Sequence, residues 1–384
     1  MHRLLLWLTN TFNESKWEVI KHIISRYIFR IHLSIYSATS SPAVADTLLL
    51  ISKDLYGFFK SESFSQLSDQ DLFQRDIELC TEFLRIVANS ADLQCLEAGF
   101  TQISSDPILL AGISAASTAP QSSHGKRKGS RGVTPVSSVS FESMSMLLQS
   151  AEFISGCLKE YSTVKENRRR MIHLDSVNVM AMGLQKLILL RDFMEAKFSR
   201  TSTHVFSLAV RTATGPSSHE NDPLYQSISS QLILMEKNAI QLLSAFRNFA
   251  LDDVGREQLL ISNIFPLLCR VIKTGTAISA SGVSDKDSDD NKASELLLSS
   301  VRVTAKLSLF EDFRDQVNSS KPPIHLASLV GILTTEGKLM AKVMNGDESI
   351  NWPSWHTWPL LSRTAFTLGN FTTTNDSNRF CTMQ

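Results

Sequence analysis

Apolar residues recur along this chain at three- and four-residue spacing, interrupted by polar stretches. In "SKWEVIKHIISRYIFRIHLSIYS", Val19, Ile20, Ile23, Ile24, Tyr27 and Ile28 fall on one face of a helix. In "QLILMEKNAIQLLSAFRNFAL", the same spacing gathers Leu232, Met235, Ala239, Leu242, Leu243, Phe246 and Phe249. Strand signals are nearly absent, and no Asn-Gly or Asp-Gly joins two alternating runs as a hairpin needs. The pattern predicts an all-α chain.

Three stretches break it. Residues 114–140 are rich in Ser, Gly and Pro, with a basic cluster from His124 to Arg131. Residues 212–223 carry "TGPSSHENDP", and residues 275–291 turn acidic toward their end. Each lacks the apolar side chains that would offset ordering entropy, so each is expected to be disordered. The sequence on either side is alike in composition, so the three read as insertions within one domain. The expected organisation is an N-terminal helical segment over 1–40 and a domain over 41–384.

A local pattern repeats. "LLSAFRNFALDDVGREQLL" carries Asn248-Phe249 where "TLGNFTTTNDSNRF" carries Asn370-Phe371. "VRVTAKLSLFEDFRDQVN" has Lys306-Leu307 there, and "FLRIVANSADLQCLEAGF" has Ile86-Val87. A polar stretch follows each pair, and Arg256, Arg314 and Arg379 follow in three of them. The later copies stand roughly 60 residues apart, against about 40–47 for armadillo and HEAT repeats. Inserted stretches at 275–291 and 345–359 account for the excess.

These segments resemble the junction between the third helix of one armadillo repeat and the first helix of the next. Glu97-Ala98-Gly99 matches a family ending, and "ENRRRMIHLDSV" reads as a further junction. "FTLGNFTTTN" is most similar to the armadillo repeat-containing proteins of cilia and sperm flagella. The resemblance covers roughly residues 40–384. It implies a right-handed armadillo-like superhelix of about four to five units, each buried only by its neighbours. It also implies a non-enzymatic scaffold or cargo adaptor in axoneme assembly, cytoplasmic or in the cilium or flagellum. The alternative is a nuclear transport or signalling adaptor that reads extended peptides.

In such a superhelix third helices line a concave groove. Arg247, Asn248, Lys306, Arg363 and Asn370 are therefore the expected partner-binding residues, with the two Asn amides facing a ligand backbone. Gly369 is expected to let neighbouring third helices approach closely. The family's peptide binders carry Trp four residues before each Asn, whereas Ser244 and Phe366 stand there in this chain. The cations also disfavour a basic peptide.

Lys+Arg and Asp+Glu are 38 each, so the net charge is zero and a dedicated nucleic-acid or membrane surface is not expected. The 5 cysteines are scattered and form no CxxC, which fits a reducing compartment. The run Leu4 to Leu8 is too short for a signal core and reads as a first helix. The basic cluster could be a nuclear signal, but reads better as a solvated loop. Trp352, Trp355 and Trp358 are expected to cap the core beneath a connection rather than to form an interface. "DKDSDD" lacks the frame of a calcium loop. No GxSxG, P-loop, HExxH or GxGxxG stands in context. The expectation is a protein-binding chain that uses no cofactor, metal or small-molecule substrate. The last repeat, ending near Gln384 without a polar capping helix, is expected to be truncated and to expose apolar surface.

Overall fold

The computed structural model describes residues 14–39, 41–60, 70–89, 141–209, 223–280, 290–319, 324–345 and 357–373. They form thirteen α-helices, with no strand among the described residues. The first four are α1 (Glu14–Thr39), α2 (Pro42–Phe59), α3 (Gln70–Ala88) and α4 (Phe141–Tyr161). Three triplets follow, each a short helix and two longer ones. They are α5 (Lys165–His173), α6 (Ser176–Ala209) and α7 (Pro223–Phe249); then α8 (Asp253–Ile261), α9 (Ile264–Ala280) and α10 (Asp290–Leu307); then α11 (Glu311–Ser319), α12 (Ile324–Met344) and α13 (Thr357–Thr372).

The helices pack in two rows. In one, α2, α4, α7, α10 and α13 each touch the next. In the other, α1, α3, α6, α9 and α12 do so. Each helix of one row also packs on a partner in the other, α1 on α2 through α12 on α13. One continuous apolar core, from Phe29 to Phe371, fills the space between the rows. The α7 stripe is as its spacing predicts, with Met235, Ala239, Leu242, Leu243, Phe246 and Phe249 all buried.

The triplets repeat in backbone detail. Asp175 joins α5 to α6 with φ 58°, and Asn263 joins α8 to α9 with φ 53°. Each stands the same distance after the last residue of the preceding long helix, Tyr161 or Phe249. Asn and Asp tolerate this left-handed region better than other residues with a side chain.

Several expectations need correction. The buried face of α1 is not its most apolar one. His22, Arg26, Phe29, Leu33 and Tyr36 are buried, while Tyr27 is 55% exposed. The cause is Asp76 of α3, itself buried. Its carboxylate accepts from His22 Nε2 at 2.9 Å, Arg26 Nη1 at 3.4 Å and the Tyr161 hydroxyl at 3.0 Å. Burial, reinforced by that carboxylate, pushes the Tyr161 phenol well above its ordinary pKa.

The segment ending at Ile86-Val87 is also misplaced by the repeat pattern. Its helix, α3, packs on α6 and so stands in the row opposite α4, α7, α10 and α13. The junction at "ENRRRMIHLDSV" does follow a helix of the expected row, α4. Finally, α9 continues to Ala280 and α10 starts at Asp290, so both ends of the predicted loop 275–291 are helical. Gly275 costs a helix only about 1 kcal/mol, and the acidic Asp290 suits a helix N-terminus. The other two predicted loops lie almost wholly outside the described residues, except that α7 begins at Pro223.

Three substitutions test this packing. Asp76→Ala strands the buried Arg26 and His22 and should cost about 3–5 kcal/mol in chemical denaturation. Gly255→Ala would drive a Cβ into the carbonyl oxygen of Phe249. It should cost about 1–3 kcal/mol or more. Gly57→Ala, where nothing lies within 4 Å, should instead stabilise α2 by about 0.5–1 kcal/mol. Equal melts for the two glycine variants would contradict this packing.

Candidate functional site

The row α4, α7, α10, α13 has a chemistry at its helix ends that recurs from unit to unit. A helix terminus leaves its last carbonyls without intrahelical partners. After α4, Arg168 Nη1 donates to the carbonyls of Ser162 at 2.9 Å and Thr163 at 3.1 Å. After α10, Arg314 Nη1 donates to the Ser308 carbonyl at 3.1 Å. The same arginines reach forward. Arg168 Nε donates to Asp252 Oδ2 of the next triplet at 2.8 Å. Arg256, in the matching place, lies 3.3 Å from the ring centre of Phe310, which stands where Asp252 does. It also pairs with Asp253, and burial holds its guanidinium below the ordinary arginine pKa.

The two asparagines belong to this junction. Asn248 Nδ2 donates to Ser162 Oγ at 2.9 Å, and Asn370 Nδ2 donates to Ser308 Oγ at 2.9 Å. Asn248 is buried and Asn370 half-buried. Each ties its helix to the residue just past the end of the preceding one in the row. The expectation that both amides face a ligand gives way to this pairing. Where Ala250 replaces the serine, the following helix carries Lys306 instead of Asn, half-buried and without such a bond. The expected role of Gly369 is also not seen. Gly369 is exposed, and a Cβ there would meet nothing within 4 Å.

The cations gather differently. Arg247 of α7 and Arg302 of α10 are half-buried, and Arg363 of α13 is exposed. The guanidinium of Arg302 is held below its ordinary pKa, first by burial and then by repulsion from Arg247 and Arg363, which Glu295 opposes. The two arginines act on Arg302 from the neighbouring helices of the row, and Glu295 acts against them from its own helix. Among the described residues, no carboxylate stands within ion-pair distance of any of them. Other buried arginines are paired: Arg26 with Asp76, Arg168 with Asp252 and Arg191 with Glu236. Lys306 lies one turn beyond Arg302 on α10. Phe366, 45% exposed, occupies on α13 the position that Arg302 holds on α10.

Arg302 was not among the predicted residues. Its signal was legible, since it stands four before Lys306 as Ser244 and Phe366 stand four before the two asparagines. The structure sets Arg247 and Arg363 on the helices that flank its own in the row and turns Asn248 inward.

A shallow, open groove of about 420 Å³ runs between α12 and α13, lined by Val330, Leu333, Ala365, Leu368 and Gly369. The equivalents of Ala365 and Gly369 on α10, Val301 and Ala305, are buried beneath the next helix pair. A second groove of about 430 Å³ lies beside His22, Tyr56, Phe58 and Phe153. Trp358 opens α13 and is 64% exposed, so it does not cap the core. Trp352 and Trp355 lie outside the described residues, as do the basic cluster, Glu97 to Gly99 and Arg379. Cys80, Cys157 and Cys269 are free thiols, and burial raises the pKa of Cys269 to about 12. No described helix is long and apolar enough to cross a membrane.

A double-mutant cycle on Asn248→Ala and Ser162→Ala should show a coupling of about 1 kcal/mol, the net worth of one buried hydrogen bond. The same cycle on Lys306 and Ala250, using Lys306→Ala and Ala250→Ser, should show none. Equal couplings would mean that the junction bond is not what distinguishes these positions.

No protein-family model matches the chain, and no similar protein is found among the curated ones.

Proposed function

We propose that this chain is a non-enzymatic, armadillo-like right-handed superhelix that binds a protein partner along its α7–α10–α13 row. The observation that carries the reading is that Arg247, Arg302 and Arg363 stand on three neighbouring helices of one row, with no ion pair to a carboxylate among the described residues and with Glu295 acting on Arg302 from a greater distance. Relative to Asn248, Lys306 and Asn370 the three stand one, four and seven residues earlier, so they follow a diagonal across the row and not one repeated position. Junction bonds tie α7 to the end of α4 and α13 to the end of α10, and so support the helices that carry the cations. Such a surface suits an acidic, extended segment through charge-assisted hydrogen bonds, with Lys306 beside it. The two asparagines keep the support in register, adjacent to the contact surface.

The resemblance to ciliary and flagellar armadillo proteins supports a scaffold or cargo adaptor in axoneme assembly, acting in the cytoplasm or the organelle itself. The alternative adaptor for basic peptides is disfavoured by the sign of these side chains.

A pull-down of the natural partner from ciliated cells, with the Lys306→Glu, Arg363→Glu double variant beside the parent chain, tests the reading. Capture should fall by about tenfold or more. The thermal melt should move little, because Arg363 is exposed and Lys306 only half-buried, and charges open to solvent contribute about 0–1 kcal/mol. Unchanged capture with an unchanged melt would place the working surface elsewhere.

A further inference from the structure

We infer that the outward face of α1, from Ile20 to Ile35, is a docking surface for an amphipathic helix of a partner protein whose apolar seam is flanked by acidic residues. α1 belongs to the row opposite α7, α10 and α13, so this surface is separate from the one proposed above.

Two faces of α1 could have turned to the core. One carries Ile20, Ile24, Tyr27, Ile31 and Ile35, and the other carries His22, Arg26, Phe29, Leu33 and Tyr36. The second is the buried one. Asp76 decides the matter, because its carboxylate holds His22 Nε2 at 2.9 Å and Arg26 Nη1 at 3.4 Å. The helix cannot roll without stranding those buried groups. The isoleucine face therefore stays outside. Tyr27, Ile31 and Ile35 are 55%, 58% and 43% exposed, and Ile20 and Ile24 are half-buried. No other described helix exposes three large apolar side chains at four-residue steps. A helix that buries its more polar face and shows its more apolar one is a local conflict of the kind that collects at functional surfaces.

The spacing fits another helix. Ile20, Ile24, Tyr27 and Ile31 are four, three and four residues apart, the alternation that keeps one helix's seam in line with a second. From Ile20 to Ile35 the seam runs about 22 Å, or about four turns. Its middle is steadied from within, since the Arg26 guanidinium lies 5.7 Å from the Tyr27 ring centre.

The charge fits an acidic one. From Val19 to Val44 the sequence holds no carboxylate. Lys21 and Arg30 are exposed on opposite flanks of the seam, the places from which paired helices select partners by charge. Lys53 and Asp54 of α2 line the groove beside Lys21 and bring one charge of each sign. A second copy of α1 would set cations against cations. A bilayer would leave the seam's spacing without use. A helix with acidic flanks answers both features.

The test uses the full chain and two synthetic helical peptides of about three heptads. They share one Ile/Leu seam and differ only in carrying Glu or Lys at the flanking positions. By fluorescence anisotropy, the Glu-flanked peptide should bind at least about tenfold more tightly than the Lys-flanked one. Ile31→Ser, Ile35→Ser should weaken it by at least about tenfold. Lys21→Glu, Arg30→Glu should reverse the preference between the two peptides. Should the isoleucine pair lower the melt, this charge swap on two exposed side chains gives the same reading. Lys306→Glu, Arg363→Glu should change nothing.

Failure of either peptide to bind, or a preference that the charge swap leaves in place, would overturn the inference. So would loss of binding with Lys306→Glu, Arg363→Glu, which would move the peptide to the other row and leave the scaffold reading standing. A dimer of the chain alone in light scattering, dispersed by Ile31→Ser, Ile35→Ser, would make a second copy the occupant. Retention on phosphatidylserine vesicles, tighter than the Glu-flanked peptide and lost with the same pair, would make it a lipid surface. Either result overturns the acidic helix.

Discussion

A helix that ends against another helix must find partners for its last carbonyl groups. Here an arginine from the following short helix supplies them, and the rest of the packing depends on that contact. Arg168 closes the end of α4 and Arg314 closes the end of α10. Because Arg168 also reaches Asp252 in the next triplet, it fixes two successive units against each other. The asparagine-to-serine bonds do the same at the same residues, Ser162 and Ser308. Register along the row is thus set by directional bonds at the helix ends. The apolar core behind them is non-directional and would tolerate small slips.

That arrangement sorts the charged residues into two kinds. Those at the junctions and between the rows are paired: Arg168 with Asp252, Arg191 with Glu236, and Arg26 and His22 with Asp76. Burying any one of them alone would cost several kcal/mol, so pairing is a condition of their burial. Arg247, Arg302 and Arg363 stand at a surface where solvent relaxes that condition. Their lack of a described carboxylate partner is a local exception in a chain whose charges balance overall.

Periodicity revealed the helical class and most of α7, where Met235, Ala239, Leu242, Leu243, Phe246 and Phe249 are all buried. It failed on α1 because burial there is decided by Asp76, more than fifty residues beyond His22. An apolar-only count cannot see a carboxylate from another helix that makes His22 and Arg26 interior residues. It failed on α3 for a related reason: Ile86-Val87 has the local look of the repeated pair, but which row a helix joins is set by tertiary contact. In the candidate site, Arg247, Lys306 and Arg363 could be picked from register alone. The inward turn of Asn248 could not, because its partner Ser162 lies in a different unit. Arg302 stands at a position where the family's peptide binders carry Trp, so an arginine there falls outside that pattern although its register is plain.

The middle junction is where the repeat breaks its own rule. With Ala250 in place of a serine, α10 has no hydroxyl to reach and carries Lys306 rather than Asn. That forgoes a bond of about 1 kcal/mol. It also sets Lys306 four residues from Arg302, an arrangement of like charges that costs an isolated helix a few tenths of a kcal/mol. Neither change helps the stack. Local inconsistencies of this kind collect where function has overridden folding. This one falls on the helix whose arginine lies between the helices of Arg247 and Arg363, so the missing junction bond at Lys306 and the charge of Arg302 stand one turn apart on α10.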